Sequence, residues 1–162
     1  MDDKLETRIK KIIDSSFETP SILKKVLADE LALLKRDQQN TDILGLIYIE
    51  PTFIFTPEKN ERYSGAFMLL ATTAGLINVE EGLTETEVNF GGCRTRFFPY
   101  YKIVSVELDS CLLRGVFKIV LGGTEDSNLV IEFDAARNLS EFQEIIRIIR
   151  EKMTDIDRHM TK

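Results

Sequence analysis

Leu5, Ile9, Ile12, Ile13 and Phe17 recur at spacings of three and four, and Leu23, Val26, Leu27, Leu31 and Leu34 repeat the pattern behind Thr19-Pro20. An apolar stripe of this period is one face of an amphipathic helix. Threonine followed by proline suits an N-cap and the first helical position. Two helices joined by a short turn are therefore predicted over residues 1–42, the second ending in a polar run from Lys35 to Asn40.

At Ile43 the period changes. β-branched and aromatic residues take over, and turn clusters return at short intervals: Pro57-Glu58-Lys59-Asn60, Thr73-Ala74-Gly75, Glu81-Gly82, Gly91-Gly92, Gly122-Gly123 and Ser127-Asn128. Short strands between frequent turns belong to an antiparallel all-β unit. The predicted strands are 44–49 running on past Pro51 to Phe55, then 66–72, 76–80, 94–98, 103–108, 116–121 and 129–134. In 103–108, Val104, Val106 and Leu108 oppose Ser105 and Glu107, as in a sheet with one wet face. The stretch GAFMLLATTAGLINV, residues 65–79, carries no charge over 15 residues. That is short of the roughly 20 residues a membrane-crossing helix needs, and two strands around a Thr73-Ala74-Gly75 turn fit better.

The chain closes in a third predicted helix. Ser140-x-x-Gln143 has the form of a capping box, and Phe142, Ile145, Ile146, Ile149, Met153 and Ile156 make a stripe opposite Glu144, Arg147, Arg150, Glu151 and Lys152. Such a stripe needs an apolar surface to cover, which an open end of a β-barrel or sandwich supplies. The expected class is α+β: an antiparallel barrel or sandwich of about seven strands capped by a helix over 140–152 and preceded by a helical arm. The expected division is an arm over 1–42 and a β-domain with its helix over 43–162.

Composition narrows the function. With 162 residues, 43% hydrophobic and 30% charged, the chain can bury a core without disulfides or metals. The net charge is −6, and residues 43–138 hold 8 basic and 13 acidic residues, which argues against a non-specific nucleic-acid binder. Two cysteines, Cys93 and Cys111, are too few for a disulfide-stapled secreted fold. The acidic, polar start at Met1-Asp2-Asp3-Lys4 is not a signal peptide, so a cytoplasmic protein is expected.

Little catalytic chemistry is available. His159 is the single histidine and sits in the tail, where a Ser/His or Cys/His pair or a zinc set would have to use it. Glu80-Glu81, Glu85/Glu87 and Glu125-Asp126 fall in or beside turns, as solvated carboxylates do. Gly91-Gly92 and Gly122-Gly123 lack the residues that complete a phosphate-cradling motif. Cys93 has Arg94 beside it, a neighbour that favours a thiolate, but an inert thiol is the commoner state. No enzyme, cofactor or metal is expected.

From about Ile43 to Met153 the chain resembles the small bacterial pleckstrin-homology-like domains of the YokE-like or GRAM-like kind. GAFMLLATTAGLINV matches a glycine, an alternating strand, a threonine turn and a second apolar strand. FFPYYKIVSVEL fits a hydrophobic-Pro-Tyr-x-x-Ile-x-x-Val pattern through Phe98, Pro99, Tyr100, Ile103 and Val106. FDAARNLSEFQEIIRIIR is similar to the last strand running into the terminal helix. Ala74-Gly75 stand where the family usually carries Arg or Lys. The resemblance implies a non-catalytic interaction or oligomerisation module, with a homo-oligomer or a protein as partner. It implies as an alternative an anion or lipid-headgroup patch at an anionic membrane surface, built from Arg94 and Arg96 with Arg62, Lys59 or Lys102. Period two puts Arg94 and Arg96 on one strand face, where pairing with Glu80, Glu85 or Glu87 is the competing expectation. The tyrosine hydroxyls of the aromatic run are expected to reach water. Leu23 to Leu34 is expected to pack within the chain, leaving Leu5, Ile9, Ile12, Ile13 and Phe17 for exchange or a partner. Pro99 implies a sheet edge that could accept a partner strand.

Overall fold

Apolar residues alternate through most of the predicted strands, and in the computed structural model they line two facing antiparallel sheets. The structure describes residues 3–14, 21–36, 42–50, 52–54, 62–82, 92–123 and 128–160. Helices α1 (Asp3–Asp14) and α2 (Ser21–Arg36) lead into β1 (Ile43–Ile49), followed by β2 (Thr52–Ile54), β3 (Arg62–Ser64), β4 (Phe67–Thr72), β5 (Gly75–Gly82) and β6 (Gly92–Pro99). A 3-10 turn over Tyr100–Lys102 leads to β7 (Ile103–Cys111), β8 (Arg114–Leu121), β9 (Leu129–Asp134) and α3 (Ala135–Met160). The first sheet has the order β1-β4-β5-β6, the second β7-β8-β9, and β2 pairs with β3 alone. Seven strands in two antiparallel sheets, followed by one helix, give the α+β order expected among the described residues. The sheets form an open sandwich and are not closed into a barrel.

Both faces of the first sheet are covered. On the inner face Ile47, Leu69, Ala71, Leu76 and Phe98 meet Phe117, Ile119, Ile131 and Phe133 of the second sheet and Phe142, Ile145 and Ile149 of α3. On the outer face Leu46, Met68, Leu70, Ile77 and Val79 lie under Ile9 and Ile12 of α1 and Leu23 and Leu27 of α2. Every residue of β4 is therefore buried, and a strand buried on both faces reads as a continuous apolar run. That is the physical reason residues 65–79 lack charge. Leu23 and Leu27 are wholly buried. Fully burying a leucine contributes roughly 1.5–3 kcal/mol, so the arm is held firmly to the sheet. An ion pair from Arg8 to Glu141 ties α1 to α3 as well.

Thr72 closes the β4–β5 turn: its hydroxyl donates to the Gly75 carbonyl at 2.8 Å and accepts from the Ala74 and Gly75 amides at 3.2 Å. The helix α3 passes close over β1 because Gly45 has no side chain. A Cβ there would come within 2.8 Å of Ile148 Cδ1 and 2.9 Å of Ile145 Cδ1.

Three expectations change. The strand predicted to run past Pro51 ends at Ile49, and Thr52–Ile54 pairs instead with Arg62–Ser64 in a separate hairpin. Proline supplies no N–H to a ladder; Pro51 and Phe55 themselves lie outside the described residues. The last helix starts at Ala135, not Ser140, directly from β9 with no loop. Asp134 accepts the Ala136 amide at 2.9 Å as its cap, leaving Ser140 in the helix interior. Val104 does not face the core: the register shifts between Ile103 and Ser105, which buries Ile103 and leaves Val104 63% exposed. The proline-capped start expected at Thr19-Pro20 lies outside the described residues, and the described helix begins at Ser21.

Candidate functional site

The strand pairing of β5 with β6 sets Arg94 opposite Glu80 and Arg96 opposite Asn78. Phe98, on the same side of β6, is in the core, so the arginines lie along the margin of the inner face, Arg94 exposed and Arg96 half-buried. Arg96 forms an ion pair with Glu80, and its guanidinium carbon sits 5.6 Å from the centre of the Phe98 ring. Asn78 is wholly buried and donates from Nδ2 to Glu80 Oε1 at 2.7 Å. Asn78 Oδ1 and Arg96 Nε are buried with no hydrogen-bond partner among the described residues. Arg96 is thus engaged in holding the sheet margin together.

The remaining basic candidates lie apart from it. Arg94 is exposed near the start of β6, and Lys102 is exposed beyond its far end. The extended strand from Arg94 to Pro99 alone spans about 16 Å. Arg62 belongs to β3 in the separate hairpin, and Lys59 lies outside the described residues. Tyr100, from the same aromatic run, does not reach water: its hydroxyl donates to the Thr72 carbonyl at 2.7 Å, and burial pushes its phenol well above the ordinary value.

The stripe on α1 is placed within this chain. Ile9 and Ile12 are buried, Leu5 and Ile13 pack half-buried beside them, and Phe17 lies outside the described residues. A partner reaches this stripe only if α1 leaves the sheet. Both cysteines are free, Cys93 half-buried against the outer-face core and Cys111 exposed. Among the described residues no three His, Cys, Asp or Glu side chains converge to hold a metal, and no helix is long and apolar enough to cross a membrane.

Sequence reasoning missed a different feature. Because the sandwich is open, a groove of about 850 Å³ runs between the end of β1 at Tyr48, Ile49 and Glu50 and the length of β9 from Val130 to Asp134. Phe67, Ile131 and Phe133 are its buried apolar lining, Glu50, Arg114, Glu132, Asp134 and Arg137 its exposed charged lining, and Glu80 lines it half-buried. Arg114 pairs with Glu132 at 2.7 Å and Arg137 with Asp134 at 3.6 Å. The β7–β8 hairpin tip stands at the rim, with Leu112 93% and Leu113 72% exposed. Leu113 itself lines the groove, and its carbonyl accepts the Ala135 amide at 2.9 Å, which fixes the tip to the start of α3. Leu112 adopts φ 49°, the left-handed region that glycine or asparagine normally fills in a two-residue hairpin turn. The only sequence signal was negative: Cys111-Leu112-Leu113-Arg114 joins two strands with no Gly, Asn, Asp or Pro.

Among solved structures, the chain is similar to the crystal structure of a DUF1696 family protein with a pleckstrin-homology domain from Shewanella loihica PV-4. The match has 19% identity and a TM-score of 0.45, and covers 74% of this chain and 92% of that one. No protein-family model and no curated protein matches the chain.

Proposed function

We propose that the chain is a non-catalytic pleckstrin-homology-like module of the bacterial YokE-like or GRAM-like kind, acting in the cytoplasm by associating with itself or a partner protein. The observation that carries this reading is the pair Leu112 and Leu113, exposed at a hairpin tip whose backbone is strained. A leucine in the left-handed region costs roughly 1–2 kcal/mol, and an exposed leucine gives up roughly 1.5–3 kcal/mol available from burial. Both penalties fall at one place, beside an open groove, and a contact that covers the tip recovers the second. Strain of this kind marks a functional segment.

The competing reading is peripheral binding to anionic lipid headgroups through Arg94, Arg96, Lys102, Arg62 and Lys59. It has less support, because Arg96 is already paired with Glu80 and residues 43–138 are acidic overall. Sedimentation velocity of the full chain from low micromolar to submillimolar concentration separates the two. Self-association appears as a sedimentation coefficient that rises with concentration. A chain that stays monomeric throughout, yet pellets with anionic vesicles and loses that in Arg94→Glu/Arg96→Glu, puts the lipid reading in its place.

A further inference from the structure

The geometry points to a specific self-contact: in a two-fold dimer, the Leu112–Leu113 tip of each copy seats in the inter-sheet groove of the other. The inference rests on the interaction reading above and names its partner as a second copy of this chain.

Three observations favour this occupant. First, projection and groove are adjacent on one surface, since Leu113 and Arg114 at the tip also line the groove. A two-fold contact pairs one patch with itself, so a projection beside a matching recess is what it requires. Second, two pairs of opposite charge lie on the groove margin, within a lining that Glu50 and Glu80 make acidic overall. Arg114 and Arg137 alternate with Glu132 and Asp134, and both pairs are largely exposed as they stand, with side-chain exposures of 70%/64% and 77%/48%. Two-fold rotation brings Arg114 of each copy toward Glu132 of the other, and the reciprocal pair follows by symmetry. Third, the groove offers exposed hydrocarbon beside the tip: Val130 and Leu113 line it and are 57% and 72% exposed. An anionic bilayer is a poorer fit, because Asp109, Glu132 and Asp134 outnumber Arg114 and Arg137 around the tip. A contact limited to tip and groove is small, so the dimer is expected to dissociate on the order of micromolar concentration.

Two sets of variants test this by sedimentation. Leu112→Gly removes the side chain where glycine suits the backbone, so the variant should melt no lower than the parent chain. Its self-association should weaken by about tenfold for each copy, about a hundredfold for the dimer. Arg114→Glu and Glu132→Arg each place like charges across the two-fold contact and should be monomeric alone. Mixed in equal amounts they should form a heterodimer. The carboxylate introduced at position 114 of one chain then meets the guanidinium introduced at position 132 of the other, and the unaltered Arg114 and Glu132 meet at the symmetry-related contact. The broken pair within each chain is not repaired by mixing, and an exposed pair contributes little to folding. Self-association that survives Leu112→Gly unchanged, or a mixture that stays monomeric, overturns the contact while leaving the interaction reading standing. A parent chain monomeric at every concentration overturns the self-contact and leaves the interaction reading only a different protein as partner, and vesicle binding lost in Leu112→Gly would reassign the tip to a membrane.

Discussion

A Cβ placed on Gly115 would lie 2.1 Å from Phe133 Cζ, and the Phe133 ring stacks on Phe142 with centres 4.0 Å apart. Phe142 is itself wholly buried and tilted against Phe117 at 5.0 Å. A methyl group at position 115 must therefore displace a ring locked between β8 and α3. Gly115→Ala is expected to destabilise by about 1–3 kcal/mol, the usual range for overpacking, read by urea unfolding. Tyr100 gives a pH-dependent counterpart. Its buried phenol favours the neutral, protonated form, so in the folded chain it titrates above the unfolded value near 10. A raised value means that stability from this group is complete below about pH 10 and is lost as pH rises further. Tyr100→Phe loses the hydrogen bond to Thr72 and about 1 kcal/mol at neutral pH. The same variant should unfold less steeply with rising pH above 10 than the parent chain, and an unchanged alkaline slope would assign that loss to other groups.

The arm and the first sheet depend on one another. Without α1 and α2, Leu46, Met68, Leu70, Ile77 and Val79 would present one contiguous apolar face to water. A chain of residues 43–162 alone is expected to bind a hydrophobic dye and aggregate or lose its cooperative melt, whereas the full chain does neither. A sharp, cooperative melt of 43–162 without dye binding would mean the sheet is stable uncovered. Part of this arrangement was legible: the α2 stripe was expected to pack within the chain and the period changes at Ile43, but the α1 stripe, expected to be free for a partner, covers the same sheet. The start of α3 was not, because Asp134 ends a strand and caps a helix at once, with no loop residues to mark the junction. The polar margin of Asn78, Glu80 and Arg96 was half legible. Period two put the arginines on one face, but only the β5–β6 register determines which carboxylate they meet. The hairpin tip was hidden for the opposite reason. Leucines occupy a turn that local preference assigns to glycine or asparagine, and such breaches of local rule gather at functional or strained places.

Across the whole molecule the charge balance sets what surfaces it can approach. The net charge is −6, and the exposed Arg94 stands opposite Glu80, whose carboxylate is already shared by Arg96 and Asn78. A cationic footprint strong enough to hold an anionic bilayer through a screening length of about 8 Å at physiological salt needs several basic residues acting together. Arg94 and Lys102 instead lie toward opposite ends of β6. The full chain is therefore expected to stay in the supernatant when anionic vesicles are sedimented at physiological salt. Arg94→Glu/Arg96→Glu should leave that result unchanged while lowering stability by about 1 kcal/mol, since the Arg96–Glu80 pair is part-exposed and partly screened. The two readouts bear on different roles for the same side chains. A loss of stability without a change in vesicle binding identifies Arg96 as a clasp for the sheet margin. Binding to anionic vesicles by the parent chain, abolished by the double charge reversal, would instead make the margin of β6 a headgroup site and the acidic surface around it a filter on which membranes it meets.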